Sequence, residues 1–260
     1  MQTTKQTLEN IKANGYHIDF GTVFNKAFEN YKKIALNAGI AMLLITILMF
    51  IVIGIIAVGI VGIAFSTDTL SQFRVENMSP MWLVGYVIFA SIAGAFCSPL
   101  TAGFIKMAQS AAKGHNYSVG TVFDYYRSKH FKEIVLAALI IAFFSNIFSS
   151  GLQWVGFQWI GIVISLSFAV LTFLVIPLII FGDLKAMEAI EASILIVSKQ
   201  FFILFGLLIV SGIMVMLGIF GLCIGIFFTI PFIYSMYYCV YSEIIGDETP
   251  EIASEEVSNE

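Results

Sequence analysis

Not one charged side chain interrupts residues 134–182, and three further charge-free apolar runs occupy 34–67, 77–105 and 200–242. A helix of about 20 apolar residues crosses the ~30 Å hydrocarbon core of a bilayer. The two shorter runs therefore suit one crossing each and the two longer runs a pair each, which gives six spans. Hydrophobic residues make up 59% of the chain and charged ones 12%, more apolar surface than a soluble core of this length hides. Only helices and closed barrels satisfy every backbone group in lipid, and continuous runs lack the alternation of a barrel strand. The expected fold is all-α, a polytopic membrane bundle of three two-span hairpins.

Each long run needs a turn. Residues 149–151 (SSG), followed by Gln153 and Gln158, supply one; Gly218, Gly221 and Gly225 mark the other. Twelve of the 13 Lys and Arg then fall on one face and only Arg74 on the other, so both termini are expected in the cytoplasm. The start of the chain has no apolar stretch of the signal-peptide kind. The organisation reads as a cytoplasmic segment 1–33, a membrane domain 34–246, and an acidic, solvated tail 247–260. Cys97, Cys223 and Cys239 sit in apolar runs without a CxxC pair and read as small apolar filler.

The tetrapeptide GTVF occurs at 21–24 and again at 120–123, each time ahead of an odd-numbered span. Around the first copy, Phe20, Val23, Phe24, Ala27, Phe28 and Tyr31 share a helical face opposite Asn25, Lys26, Glu29, Lys32 and Lys33. Around the second, Val119, Val122, Phe123 and Tyr126 oppose Asp124, Arg127 and Lys129. A looser third version sets Met187, Ile190, Ile194 and Val197 against Lys185, Glu188, Glu191 and Lys199. The pattern predicts three cytoplasmic amphipathic helices, each preceding a hairpin. The return spans also share a proline, Pro99, Pro177 and Pro231, which removes a backbone donor and frees a carbonyl. Broken helices at matching repeat positions point to transport sites, although proline is common in membrane helices.

The basic helix, the proline-bearing hairpin, and then Ala186, Ala189 and Ser193 followed by Lys199 and a further apolar run resemble a widespread bacterial membrane family. That family is related to the membrane domain fused to some glycerophosphodiester phosphodiesterases. The resemblance covers residues 20–246 and implies the inner membrane of a bacterium. The fused catalytic domain has no counterpart here, so the phosphodiesterase activity does not carry over. Chains of this look also bear a carotene-cleaving monooxygenase label. Non-haem iron oxygenases need converging His and carboxylate ligands, whereas His17, His115 and His130 all lie outside the spans, where they read as solvated. No catalytic motif and no cofactor site is expected.

Charge at the hydrocarbon edge is costly and often functional, which singles out Lys106, Asp183 and Glu243 at the ends of the return spans. A basic rim of Lys26, Lys32, Lys33, Lys113, Arg127, Lys129 and Lys132 is expected to contact anionic lipid headgroups. Ala90, Gly94, Ser98 and Ala102, small residues at every fourth position, are expected to form a packing stripe on the second span. Three functions compete: a non-enzymatic scaffold, regulatory or lipid-associated envelope protein; a transporter or channel; and an intramembrane enzyme. The first is expected. Its partners would be membrane lipids, with a protein partner or a second copy in the membrane left open, and not nucleic acid. A polar vestibule lined by Asn37, Ser91, Thr101, Asn146, Ser165, Thr172 or Ser211 and ending at the prolines would favour transport.

Overall fold

The computed structural model describes residues 4–61, 79–221 and 224–246. Among them every regular element is helical. In chain order these are α1 (Thr4–Asn14), α2 (Phe20–Val61), α3 (Pro80–Ala112), a 3-10 helix (Val119–Arg127), α4 (Phe131–Trp154), α5 (Gln158–Thr172), α6 (Val175–Ile180), α7 (Ala186–Lys199), α8 (Phe201–Leu217), a 3-10 turn (Gly218–Phe220), α9 (Gly225–Thr229) and α10 (Pro231–Ile245). Five stretches are long and apolar enough to cross a membrane: Phe20–Ile55, Pro80–Ala112, Phe131–Trp154, Gln158–Ile180 and Phe201–Phe220. The chain is a helical membrane protein. Arg74, Cys223 and the acidic tail lie outside the described residues.

The first amphipathic segment is not a separate surface helix. Asp19 caps α2, its Oδ1 accepting from Thr22 N at 2.7 Å, and the Thr22 side chain, followed by this backbone bond, holds the carboxyl below its ordinary range. From there one helix runs through Lys32 and Lys33 into the apolar run, because no glycine or proline separates them and lysine is a good helix former. At about 1.5 Å per residue its 42 residues reach about 63 Å, twice the hydrocarbon thickness, so a polar first third precedes the apolar part. The second GTVF copy folds differently, as a 3-10 helix. Its buried side chains are Val122 and Tyr125, three apart as that helix demands, while Phe123 is exposed. Identical letters thus adopt two conformations. In the third segment the buried residues include Ala186, Ala189, Ser193, Ile196 and Val197, while Met187 and Ile194 of its apolar face are exposed.

Two other expectations need correction. The turn after α4 is not at 149–151 but at Gly156, whose φ of 87° is open to glycine. Phe157 N bonds Leu152 O at 2.8 Å and Gly156 N bonds Gln153 O at 3.0 Å, the paired bonds of a Schellman stop. Ser149 stays inside the helix because its hydroxyl donates back to Ser145 O. On α3 the buried line is Val87, Ser91, Ala95, Ser98 and Ala102, whereas Ala90 is only half-buried and Gly94 is exposed with open space where a Cβ would stand. A strict four-residue step drifts off a 3.6-residue helix face, and the real line corrects itself with one three-residue step.

The core is gathered at the end of the bundle that carries most of the lysines, hereafter the basic end. Val23, Ala27, Ile34 and Ala38 of α2 meet Phe104, Ile105 and Ala108 of α3 and Phe232, Met236 and Val240 of α10 in one cluster that continues through α6 and α7. Phe232 is ringed by Phe24, Phe28 and Tyr31 with centroids 5.6 to 6.5 Å away. Gly103 brings α3 onto the 3-10 helix so closely that a Cβ there would strike the Val122 backbone. At the basic end α1 lies against α7, held by Lys5 Nζ on Glu188 (2.8 Å), by Tyr16 Oη donating to Ile196 O (3.0 Å) and by Gln200 Nε2 donating to Tyr16 O (3.0 Å).

Candidate functional site

The three prolines are buried but not equivalent. Pro99 lies within the unbroken α3, and the carbonyl it frees, that of Ala95, is taken by the hydroxyl of the preceding Ser98 at 2.7 Å. Pro177 is the third residue of α6, just after the break that separates it from α5, and Pro231 opens α10. Lys106, Asp183 and Glu243 do not converge. Lys106 donates to Gln109 (2.8 Å), Glu243 accepts from Lys26 (2.6 Å), and Asp183 sits in a junction of its own.

That junction joins the α6–α7 turn to the start of α4. Asp183 Oδ1 lies 2.9 Å from both Lys129 Nζ and His130 Nε2. The bond from Lys129, then that from His130, holds the Asp183 carboxyl below its ordinary range. Its φ of 53° is the only positive one outside glycine among the described residues, a conformation Asp and Asn tolerate better than other side chains. Glu133 Oε2 accepts from Ala186 N at 2.9 Å and so caps α7 from across the bundle. His130 is therefore not a solvated residue: its side chain is largely buried, near Tyr125. Spacing gave no sign of this contact, which joins residues 53 positions apart.

Of the basic rim, Lys26 pairs with Glu243, Lys32 with Glu29, and Lys129 with Asp183. Lys32 also stands 5.4 Å over the Phe28 ring. Among the described residues Lys33 reaches only Ala111 O, at 3.5 Å. Lys113 caps α3, Arg127 ends the 3-10 helix and Lys132 lies in the first turn of α4.

A polar groove lies between α4 and α5. Two cavities of about 410 and 540 Å³ share Ser165 and Ala169 as walls. The first adds Gly94, Asn146 and Thr172; the second adds Ser149, Gln153, Gln158 and Gly161. Gly161 is buried, and a Cβ there would meet Ser149 O at 2.9 Å, so the two helices run nearly in contact at the groove bed. Asn146 Nδ2 donates to Ser91 Oγ at 3.2 Å and ties the groove wall to α3. Thr172 and Ser149 spend their hydroxyl protons on carbonyls of their own helices, whereas Gln158 and Ser165 make no side-chain hydrogen bond among the described residues. The groove ends where α5 breaks, beside Val175 and Ile176, above the buried Phe173, Leu174 and Leu178.

No family model, curated protein or solved structure matches this chain. The site is accordingly read from its own side chains. Three of the seven polar residues named for a vestibule, Asn146, Ser165 and Thr172, line the groove, and Ser91 supports it from behind. Gln153 and Gln158, first read as turn residues, are the additions; a glutamine at each end of a short apolar hairpin was the available signal.

Proposed function

We propose that this protein crosses the inner membrane of a bacterium six times with its basic end in the cytoplasm, and that it acts without catalysis as a lipid-associated protein that holds an amphiphile in the α4–α5 groove. The observation that carries the reading is the groove itself. Uncommitted polar groups at Gln158 and Ser165 sit among Ile162, Leu166 and Ala169, and polar groups surrounded by lipid need partners. A molecule with a polar end and an apolar body supplies both. The sixth crossing would be α9 and α10 together, whose span of residues 225–245 reaches about 31 Å as helix. The excess of Lys and Arg at one end supports the orientation.

The test is lipid analysis of the purified protein by native mass spectrometry. Ser165→Phe, at the wall shared by both cavities, should strip a co-purifying amphiphile, while Val163→Phe on the exposed outer face should keep it. Equal retention in the two variants would sink the reading.

A transport reading draws on a different detail, the helix break at the groove's closed end with Pro177 just beyond it. Passage would require α6 to move. A cysteine at Val175 whose labelling changes when candidate solutes are added would favour transport, and constant protection would oppose it.

A further inference from the structure

A second pocket, of about 470 Å³, opens at the basic end between α2, the end of α3 and α10. Lys26, Glu29, Asn30 and Lys33 line it from α2, and Tyr238, Cys239 and Ser242 face them from α10. Asn30 is 4% exposed. Its Nδ2 donates to Ala108 O at 2.9 Å, which fixes the amide and leaves Oδ1 without a donor. A buried acceptor left unpaired costs free energy; Oδ1 is closed to solvent although its residue lines the pocket beside Cys239, so a ligand that supplies the missing proton displaces a neighbouring side chain to reach it.

The charges narrow the choice. Lys26 is neutralised by Glu243 and Lys32 by Glu29. Among the described residues Lys33 pairs with no carboxylate and reaches only a distant carbonyl. The pocket thus presents one uncompensated positive charge beside one unfilled acceptor. It lies where the polar first third of α2 gives way to the apolar run that starts at Ile34, the level of phosphate groups for a helix that crosses a bilayer.

We propose that this pocket binds a singly charged phosphate diester that carries a hydroxyl group, the phosphate against Lys33 and the hydroxyl donating to Asn30 Oδ1. A membrane lipid headgroup and the same headgroup free in solution share this chemistry. The site stands apart from the α4–α5 groove and does not rest on the reading of that groove.

The experiment uses the full chain in phosphatidylcholine nanodiscs doped with either phosphatidylglycerol or phosphatidylmethanol, lipids of equal charge of which only the first has headgroup hydroxyls. Bound lipid is counted by native mass spectrometry. Wild type should retain phosphatidylglycerol in preference, Lys33→Gln should lower retention about fivefold, and Lys132→Gln, a rim lysine outside the pocket, should leave it unchanged. Asn30→Ala should erase the preference between the two lipids. Competition by the deacylated headgroup would identify a soluble ester as a ligand, and its failure would restrict the site to lipid; either outcome supports the pocket. Equal retention of the two lipids by wild type, or equal loss in Lys132→Gln and Lys33→Gln, overturns it. The wild-type comparison alone decides the matter if Asn30→Ala does not fold.

Discussion

At the basic end of the bundle Ala27, Ala38, Ala102, Ala108, Ala111, Ala186 and Ala189 are buried and neighbouring backbones nearly touch. At the other end Leu48, Phe50, Ile55, Trp82, Phe89, Ile162 and Phe220 are all exposed. Both ends are apolar, so hydropathy does not separate them. Side-chain size does. In lipid there is no hydrophobic gain from bringing two apolar helices together, and association rests on close packing and interhelical hydrogen bonds, which small residues permit. Large aliphatic side chains are as well served by acyl chains. The far half of α2, where every side chain from Ile47 to Ile55 is exposed, is the limiting case.

The sharpest way to challenge this contrast is to place the same substitution in both environments. Gly103→Val drives two methyl groups into the Val122 backbone, where no rotamer escapes, and should abolish monodisperse folded protein in size exclusion. Gly94→Val, nine residues earlier on the same helix, meets open space and should stay within about 0.5 kcal/mol. If the two variants behave alike, the division into a packed and a lipid-facing half fails.

Next in size is a pair of non-glycine changes. Ala108→Leu overfills the contact of α3 with Asn30 and should cost about 1–3 kcal/mol in thermal unfolding in detergent. Leu48→Ala shortens a side chain whose residue is 58% exposed and should cost a small fraction of that. A larger loss for Leu48→Ala would place a protein partner, rather than lipid, on the far half of α2.

A smaller effect belongs to the junction. Asp183→Ala loses both the contacts to Lys129 and His130 and the tolerance for positive φ, whose penalty alone is about 1–2 kcal/mol. Asp183→Asn keeps the backbone preference and should recover part of the loss. Because the folded carboxyl lies below its ordinary value of 3.8, its contribution is complete above that value and is lost as pH falls through the folded one. Wild type should therefore lose melting temperature relative to Asp183→Asn only at such acid pH. A difference that vanishes near neutrality instead would implicate another group.

The smallest effect is expected at Lys5 and Glu188, an ion pair with 65% and 43% of its side chains exposed. Lys5→Gln should leave the melting temperature within scatter, since α1 keeps its Tyr16 and Gln200 contacts to α7 and its neighbour. A drop comparable to that of Asp183→Ala would mean that α1 docks chiefly through charge.

The residence of this chain in a membrane, its helical class and the lopsided placement of its lysines were legible as written, because each is a sum over local side chains that no partner changes. Stops were partly legible: Gly218 begins a turn where glycines clustered, yet Gly156, a lone glycine, was passed over in favour of serines that a helix accommodates by bonding its own carbonyls. What the letters around GTVF could not reveal was whether the segment would continue as α-helix, as at 21–24, or tighten into 3-10, as at 120–123, where it lies against Gly103. Nor does periodicity say which of several small-residue lines is buried on α3, or that Asp183 meets His130, or that Asn30 keeps an acceptor open beside Lys33. Those are decided where helices distant in sequence cross, and the crossing points depend on backbone separations of a few ångströms that a one-dimensional pattern does not contain.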